Sequence, residues 1–291
     1  MATSTEWVQG ARPRTLPAAV SPVLVGTGAA AAVDAVHLGR ALLALIVAVA
    51  LQVGVNFAND YSDGIRGTDD DRVGPFRLVG SGSAAAQRVK LAAWLSFAVA
   101  GVTGLTLITL TEQWWLLGVG GLAVAAAWFY TGGTRPYGYR GLGEIAVFVF
   151  FGLVAVMGTT YVQAERLTAS SFVAAVAVGS LACALLLVNN IRDAPQDAAA
   201  GKRTLAVFLG EQRSRVLFAA LMSVPFVLVL ALTVTKGPWL AIALLALPLA
   251  WRTVAPVLRG ERGVLLIPVL QKTGLTGLVF AILLTIGLSL S

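Results

Sequence analysis

Seven of the chain's 14 carboxylates fall in two short stretches, with Asp60, Asp63, Asp69, Asp70 and Asp71 in one and Asp193 and Asp197 in the other. Each stretch opens on asparagine and runs into bases. Asn59-Asp60-Tyr61-Ser62-Asp63 leads to Arg72, and Asn189-Asn190-Ile191-Arg192-Asp193 leads through Asp197 to Lys202 and Arg203. Carboxylates gathered this way repel one another, and a diphosphate would be repelled too unless divalent cations bridge them. Magnesium is suited to that bridging role, because it prefers oxygen ligands and is commonly held by one or two carboxylates plus substrate phosphates. The interleaved bases Arg72, Arg77, Arg135, Lys202 and Arg203 can then hold the remaining phosphate oxygens and stabilise a leaving diphosphate. Asp and Asn also favour helix caps and turns, an explanation that serves one such stretch better than two of matching order. The adjacent Asp69, Asp70 and Asp71 cannot all point into one site.

Other reactive groups are scarce. The single cysteine, Cys183, lies within an apolar run, and the single histidine, His37, falls in a short connection. No internal disulfide or thiol metal cluster is available, and histidine-based acid–base or zinc chemistry is disfavoured.

The elements that position the acids belong in a bilayer. Of the 291 residues, 57% are hydrophobic and only 12% charged, against roughly half and a quarter in an average soluble domain. Mean hydropathy is +0.83. Apolar segments bounded by charge, Gly or Pro predict nine helices: Thr15 to Val33, Ala41 to Phe57, Leu91 to Leu110, Trp114 to Tyr130, Ile145 to Val162, Phe172 to Val188, Val216 to Val234, Trp239 to Val254 and Thr273 to Leu290. In lipid such segments must satisfy their own backbone hydrogen bonds, so an all-α bundle is expected. Pro13, Pro17 and Pro22 interrupt the first apolar run and no cleavage pattern closes it, so the first helix is expected to be retained.

Charge orients the bundle. Taken alternately, the connections place 18 of the 21 Lys and Arg on one side and only Arg40, Arg166 and Lys236 on the other. The positive-inside rule then predicts a multi-pass cell-membrane protein with a cytoplasmic N-terminus and an external C-terminus. The net charge of +7 thus reads as topology, with no nucleic acid partner. Trp94, Trp114, Trp115, Trp128 and Trp239 fall near predicted helix ends and read as interfacial anchors. Both acidic stretches lie on the basic side, four helices apart, which suggests one domain built as a parallel repeat of helices 1–4 and 5–8. If the helices run past their apolar cores, Asn59 and Asp63 lie at i and i+4, as do Asn189, Asp193 and Asp197, so each set points along one helix face.

A diphosphate site at the mouth of an apolar bundle fits a substrate with a charged head and a long hydrocarbon tail, such as a polyprenyl diphosphate. Ionisation of its allylic carbon–oxygen bond leaves a cation that water would quench, and an apolar chamber protects it. A transporter is the rival of another class, but it should carry ionisable groups near the bilayer midplane, where these spans have almost none.

The motifs resemble the UbiA superfamily of intramembrane aromatic prenyltransferases, in particular its menaquinone branch. The resemblance rests on Asn59-Asp60-Tyr61-Ser62-Asp63-Gly64 through Gly67-Thr68-Asp69, on Asp71-Arg72-Val73-Gly74-Pro75 with Arg77, and on Tyr130-Thr131-Gly132-Gly133 with Pro136-Tyr137-Gly138-Tyr139. It continues in Asn189-Asn190-Ile191-Arg192-Asp193 with Asp197 and in Gly201-Lys202-Arg203-Thr204. It implies a nine-helix fold opening toward the cytoplasm and transfer of a polyprenyl group to 1,4-dihydroxy-2-naphthoate with loss of carbon dioxide, giving demethylmenaquinone. Acceptors of the 4-hydroxybenzoate or homogentisate type stay open. Carried over by position, Asp63, Asp69, Asp193 and Asp197 resemble the metal ligands, with Asp60 an alternative because Gly67 fills the slot where the wider superfamily often has an acid. Asn59, Arg72, Arg77, Tyr130, Arg135, Asn190, Lys202 and Arg203 correspond to the diphosphate side, with Lys202 joining the three acids Asp63, Asp193 and Asp197 as the catalytic set. Arg12, Arg14 or Arg140 are candidates for the acceptor carboxylate, and Glu144 for a ring hydroxyl.

Overall fold

The computed structural model describes residues 2–67 and 76–291. Asp69, Asp70, Asp71 and Arg72 lie outside the described residues. Among those described there is no strand, and the helices are α1 (Ser4–Gly10), α2 (Pro17–Ala31), α3 (Leu38–Gly64), α4 (Ala86–Thr111) and α5 (Leu116–Phe129). After them come α6 (Gly143–Ala164), α7 (Ala169–Ala199), α8 (Leu205–Leu209), α9 (Glu211–Lys236), α10 (Pro238–Leu258) and α11 (Leu266–Ser289). Seven are long and apolar enough to cross a membrane, and α2 and α5 are shorter apolar helices. Together they account for the nine expected segments of a multi-pass membrane protein. Short α1 was not expected: Thr3 and Glu6 close a capping box around its first turn, and Trp7 packs edge-on against Phe57 of α3.

Helices α3 and α7 run on past the C-terminal ends of their apolar stretches, and the added turns carry acids. Helix α3 continues to Gly64, which puts Asp60 and Asp63 on its last turns. Helix α7 starts on a Thr168 cap, with Ser171 and Thr168 exchanging hydrogen bonds, and runs to Ala199 through Asp193 and Asp197. Hydropathy sees only the lipid-facing part of each; the polar turns beyond are stabilised by contacts with neighbouring segments.

Glycine sets how closely the helices approach. The core of the bundle packs α7 against α6, α9 and α11, with α2 against α11. A Cβ on Gly26 of α2 would lie 2.5 Å from the Val156 carbonyl oxygen, and one on Gly152 of α6 would lie 2.7 Å from Gly179 Cα of α7. Small residues at crossings let membrane helices gain dispersion contact that hydrophobicity alone cannot supply in lipid. Around Gly152 the helix loosens into a π-helical stretch, Phe148–Met157.

The two ends of the bundle differ. At one end Arg40 bonds the Val162 carbonyl and Glu165, Arg166 reaches the Val33 carbonyl, and His37 N–H reaches Gln163. At the other the ends of α3 and α7 meet the connections before α4, α6 and α8.

Candidate active site

Asp63 meets partners from several distant parts of the chain. Its buried carboxylate accepts a hydrogen bond from Tyr139 Oη, lies 3.4 Å from Lys202 Nζ, and faces Arg77 Nη2 at 3.6 Å. Three separate chain segments thereby converge on this one side chain of α3. Lys202 also stands 4.6 Å from the centroid of the Tyr139 ring, an attraction between cation and π face. Backbone bonds fix the same junction: Lys202 N–H donates to the Asp197 carbonyl at 2.8 Å and Arg203 N–H to the Tyr139 carbonyl at 3.0 Å.

The second motif is built along α7. Arg192 puts Nε on Asp193 Oδ1 at 2.6 Å and Nη2 on Oδ2 at 2.7 Å, with Nη2 also 2.8 Å from Asn189 Oδ1. One turn back, Asn190 donates through Nδ2 to Glu144 Oε1 at 2.9 Å, and both side chains are buried. Glu144 Oε2 is buried with no hydrogen-bond partner among the described residues.

Tyr130, the first residue beyond α5, joins the two motifs electrostatically. Burial, followed by the nearby carboxylates of Glu144, Asp63 and Asp197, raises its phenol above the usual range, because each nearby anion opposes proton loss. Burial also pushes Tyr137 up to about 12, so it remains a donor and bonds the Ala126 carbonyl at 2.8 Å.

Other expected residues are placed differently. Asp60 is fully buried, and its oxygens accept from the backbone N–H groups of Leu78 (2.8 Å) and Val79 (3.0 Å). Asp60, expected as an alternative metal ligand, in this arrangement anchors the turn carrying Arg77. Asn190, expected on the diphosphate side, donates its amide Nδ2 to Glu144. Asn59 Oδ1 accepts from Thr131 Oγ1 at 2.8 Å, tying α3 to the loop after α5. Arg66, which the motifs did not single out, makes the same tie through the carbonyls of Thr131 and Gly133. Arg12 sits in a left-handed turn pinned by Asn56, whose amide donates to the Ala11 carbonyl and Thr15 Oγ1. Arg14, Arg135, Arg140 and Arg203 are exposed.

Sequence reasoning also missed Tyr139 and Arg192 as functional contacts. Tyr139 stands in a quoted motif but carries no charge to mark it. Arg192 is adjacent to Asp193, and consecutive helical residues ordinarily face different directions; only the long side chain folding back makes the fork.

Among the described residues no three acids, histidines or cysteines form a ready-made metal cage. The donor set nevertheless fits magnesium, since buried carboxylate oxygens of Asp63 and Asp193 are the hard ligands it takes, one or two at a time, alongside phosphate oxygens.

Fold and site together define a polytopic helical membrane protein in which, among the described residues, the buried ionisable side chains of Asp63, Arg77, Glu144, Asp193 and Lys202 gather at one end. The chain belongs to the UbiA prenyltransferase family, whose model matches residues 19–265. It is 55% identical to the 1,4-dihydroxy-2-naphthoate octaprenyltransferase of Mycobacterium tuberculosis over 97% of this chain and 96% of that protein. It is 39% identical to the enzyme of the same name from Escherichia coli, over 98% and 95%. In fold it resembles a UbiA homolog from Aeropyrum pernix K1, with a TM-score of 0.71 at 16% identity over 90% of this chain and 94% of that one. It also resembles one from Archaeoglobus fulgidus bound to GPP and Mg2+, with a TM-score of 0.67 at 15% identity over 98% and 100%.

Proposed function

We propose that the protein transfers a polyprenyl group from polyprenyl diphosphate to 1,4-dihydroxy-2-naphthoate in a magnesium-dependent reaction that releases carbon dioxide and yields demethylmenaquinone. The convergence of Asp63, Tyr139, Arg77 and Lys202 at the end that also carries Asp193 and Asp197 supports the diphosphate half of this reading. Similarity along nearly the whole chain to octaprenyltransferases named for that naphthoate supports the acceptor half.

Asp63, Asp193 and Asp197 hold magnesium in this scheme, with Asp69 a further candidate. When bound, the metal neutralises the diphosphate and stabilises it as a leaving group. Lys202 and Arg77 are buried close to Asp63, where they take phosphate oxygens not engaged by metal, with Arg72, Arg135 and Arg203 beside them. The allylic carbon–oxygen bond breaks and its electron pair leaves with the diphosphate. A carbon–carbon bond then forms at the ring carbon that bears the carboxylate, and loss of that group as carbon dioxide restores aromaticity. No strong base is required, so Glu144 serves to orient a ring hydroxyl, with Arg12, Arg14 or Arg140 as carboxylate contacts. The basic end faces the cytoplasm, the N-terminus lies inside and the C-terminus outside the cell membrane.

The deciding experiment supplies the purified protein with a labelled polyprenyl diphosphate, magnesium and, in separate reactions, 1,4-dihydroxy-2-naphthoate, 4-hydroxybenzoate or homogentisate. Product is expected from the naphthoate alone and should vanish when chelator removes magnesium. Prenylation of 4-hydroxybenzoate or homogentisate instead would refute the acceptor assignment, and prenylation of none would refute the activity.

A further inference from the structure

The Arg192–Asp193 fork shows more than a neutralised charge. Both Asp193 oxygens receive a guanidinium nitrogen, at 2.6 and 2.7 Å, and the side chains of Arg192 and Asp193 are 2% and 5% exposed. A fork of this kind is the strongest hydrogen-bonded arrangement a carboxylate can make with a side chain. The third nitrogen of the same group, Nη1, is buried with no hydrogen-bond partner among the described residues. A buried donor left unmatched is costly, so this arginine has a standing demand for an oxygen acceptor. The pairing is not a routine product of helix geometry, since neighbouring helical residues do not ordinarily pair, and Asn189 also gives Nη2 an acceptor.

We propose that Arg192 is an internal counter-ion that competes with magnesium for Asp193 and surrenders it when a diphosphate arrives. This rests on the reading of Asp193 as a metal ligand given above. A guanidinium and a divalent cation on the same carboxylate repel each other strongly at low dielectric, so Arg192 opposes metal binding alone. Diphosphate oxygens satisfy Nη1 and draw the guanidinium off the fork, which frees Asp193 for the metal that the diphosphate brings. Metal and diphosphate therefore bind cooperatively, and by linkage each tightens the other by the same factor. The consequence is a site that does not fill with metal before substrate.

The test measures binding of Mn2+ to the full-length, detergent-solubilised protein by titration, with and without inorganic pyrophosphate, for wild type, Arg192→Gln and Arg192→Lys. Wild type should bind Mn2+ weakly alone and at least tenfold more tightly with pyrophosphate. Arg192→Gln should bind Mn2+ alone at least fivefold more tightly than wild type, with the gain from pyrophosphate reduced by a similar factor. Arg192→Lys, which keeps the charge but loses the fork, should show a smaller gain in the same direction, and it carries the test should the Gln variant fail to fold. Adding Asp193→Asn to either should erase the gain. Arg213→Gln, removing an exposed charge from the same end, should not reproduce it. Tightening by Arg213→Gln equal to that by Arg192→Gln would make the effect one of net charge and overturn the proposal. Unchanged or weaker Mn2+ binding in both Arg192 variants would overturn it as well, leaving the metal site intact. Failure of wild type to bind Mn2+ even with pyrophosphate would instead remove the metal-site reading on which the proposal stands.

Discussion

Lys202 Nζ lies 3.4 Å from Asp63 Oδ1, bringing together residues 139 positions apart, both more than nine-tenths buried. Removing one partner of a buried pair leaves an uncompensated charge, typically costing about 3–5 kcal/mol, whereas removing both avoids that penalty. Lys202→Met and Asp63→Asn should each lower the thermal midpoint in detergent, and the double variant should recover part of the loss, with Arg77 limiting the recovery. Turnover should not recover if each group acts separately on the diphosphate, as proposed above. A double variant no more stable than the worse single variant would show that the two do not act as a pair.

Alanine at Asp63 or Asp193 tests the metal reading more directly. Each change should reduce turnover by more than about a hundredfold, the scale on which a single electrostatic contact to a reacting group acts, while membrane insertion, followed by fractionation, stays normal. Near-normal activity in either variant would take that motif out of the site.

Asp60 should behave differently, although it is only three residues away. Its oxygens hold the Leu78 and Val79 N–H groups, so Asp60→Asn keeps one acceptor and loses the other, at a cost of about 1–3 kcal/mol in stability. The metal concentration for half-maximal activity should be unchanged in the variant that survives. A clear rise in that concentration would return Asp60 to the metal ligands.

That distinction marks how far the sequence could be read. Hydropathy located the nine apolar helices, because lipid imposes length and apolarity on a span whatever the tertiary packing. The pairing of motifs followed from charge and spacing, and the extension of α3 and α7 into polar turns made Asp63 and Asp193 helical. The partners of each acid were not legible. Whether a carboxylate caps a turn, as Asp60 does, or meets a lysine from another loop, as Asp63 does, depends on tertiary contacts that residue type alone does not encode. Uncharged Tyr139 shows the same limit, since nothing in its local sequence distinguishes a hydroxyl on Asp63 from an interfacial phenol.

Glu144→Gln probes the acceptor side. Glutamine can still accept from Asn190, but its second position becomes an NH2 donor where the carboxylate now offers the unpartnered Oε2. If that oxygen receives a ring hydroxyl, KM for the naphthoate should rise roughly tenfold, as expected for loss of a hydrogen bond to a charged group, with KM for the prenyl diphosphate little altered. A rise confined to the prenyl diphosphate would reassign Glu144 to the donor side.

The last prediction concerns the frame. Gly152 and Gly179 bring α6 and α7 together, and a Cβ on Gly152 would stand 2.7 Å from Gly179 Cα and 2.9 Å from the Ala175 carbonyl oxygen, both backbone atoms that no rotamer change can move. Gly152→Ala must therefore push the helices apart, a change of the overpacking kind that costs about 1–3 kcal/mol. Helix α6 starts at the Glu144–Asn190 contact and α7 carries Asp193, so the shift should reach the site and lower turnover as well as the thermal midpoint. Gly101→Ala on α4 is the control, because a Cβ there meets nothing within 4 Å and alanine is the better helix former. Equal destabilisation by the two changes would mean that the α6–α7 approach is not set by Gly152.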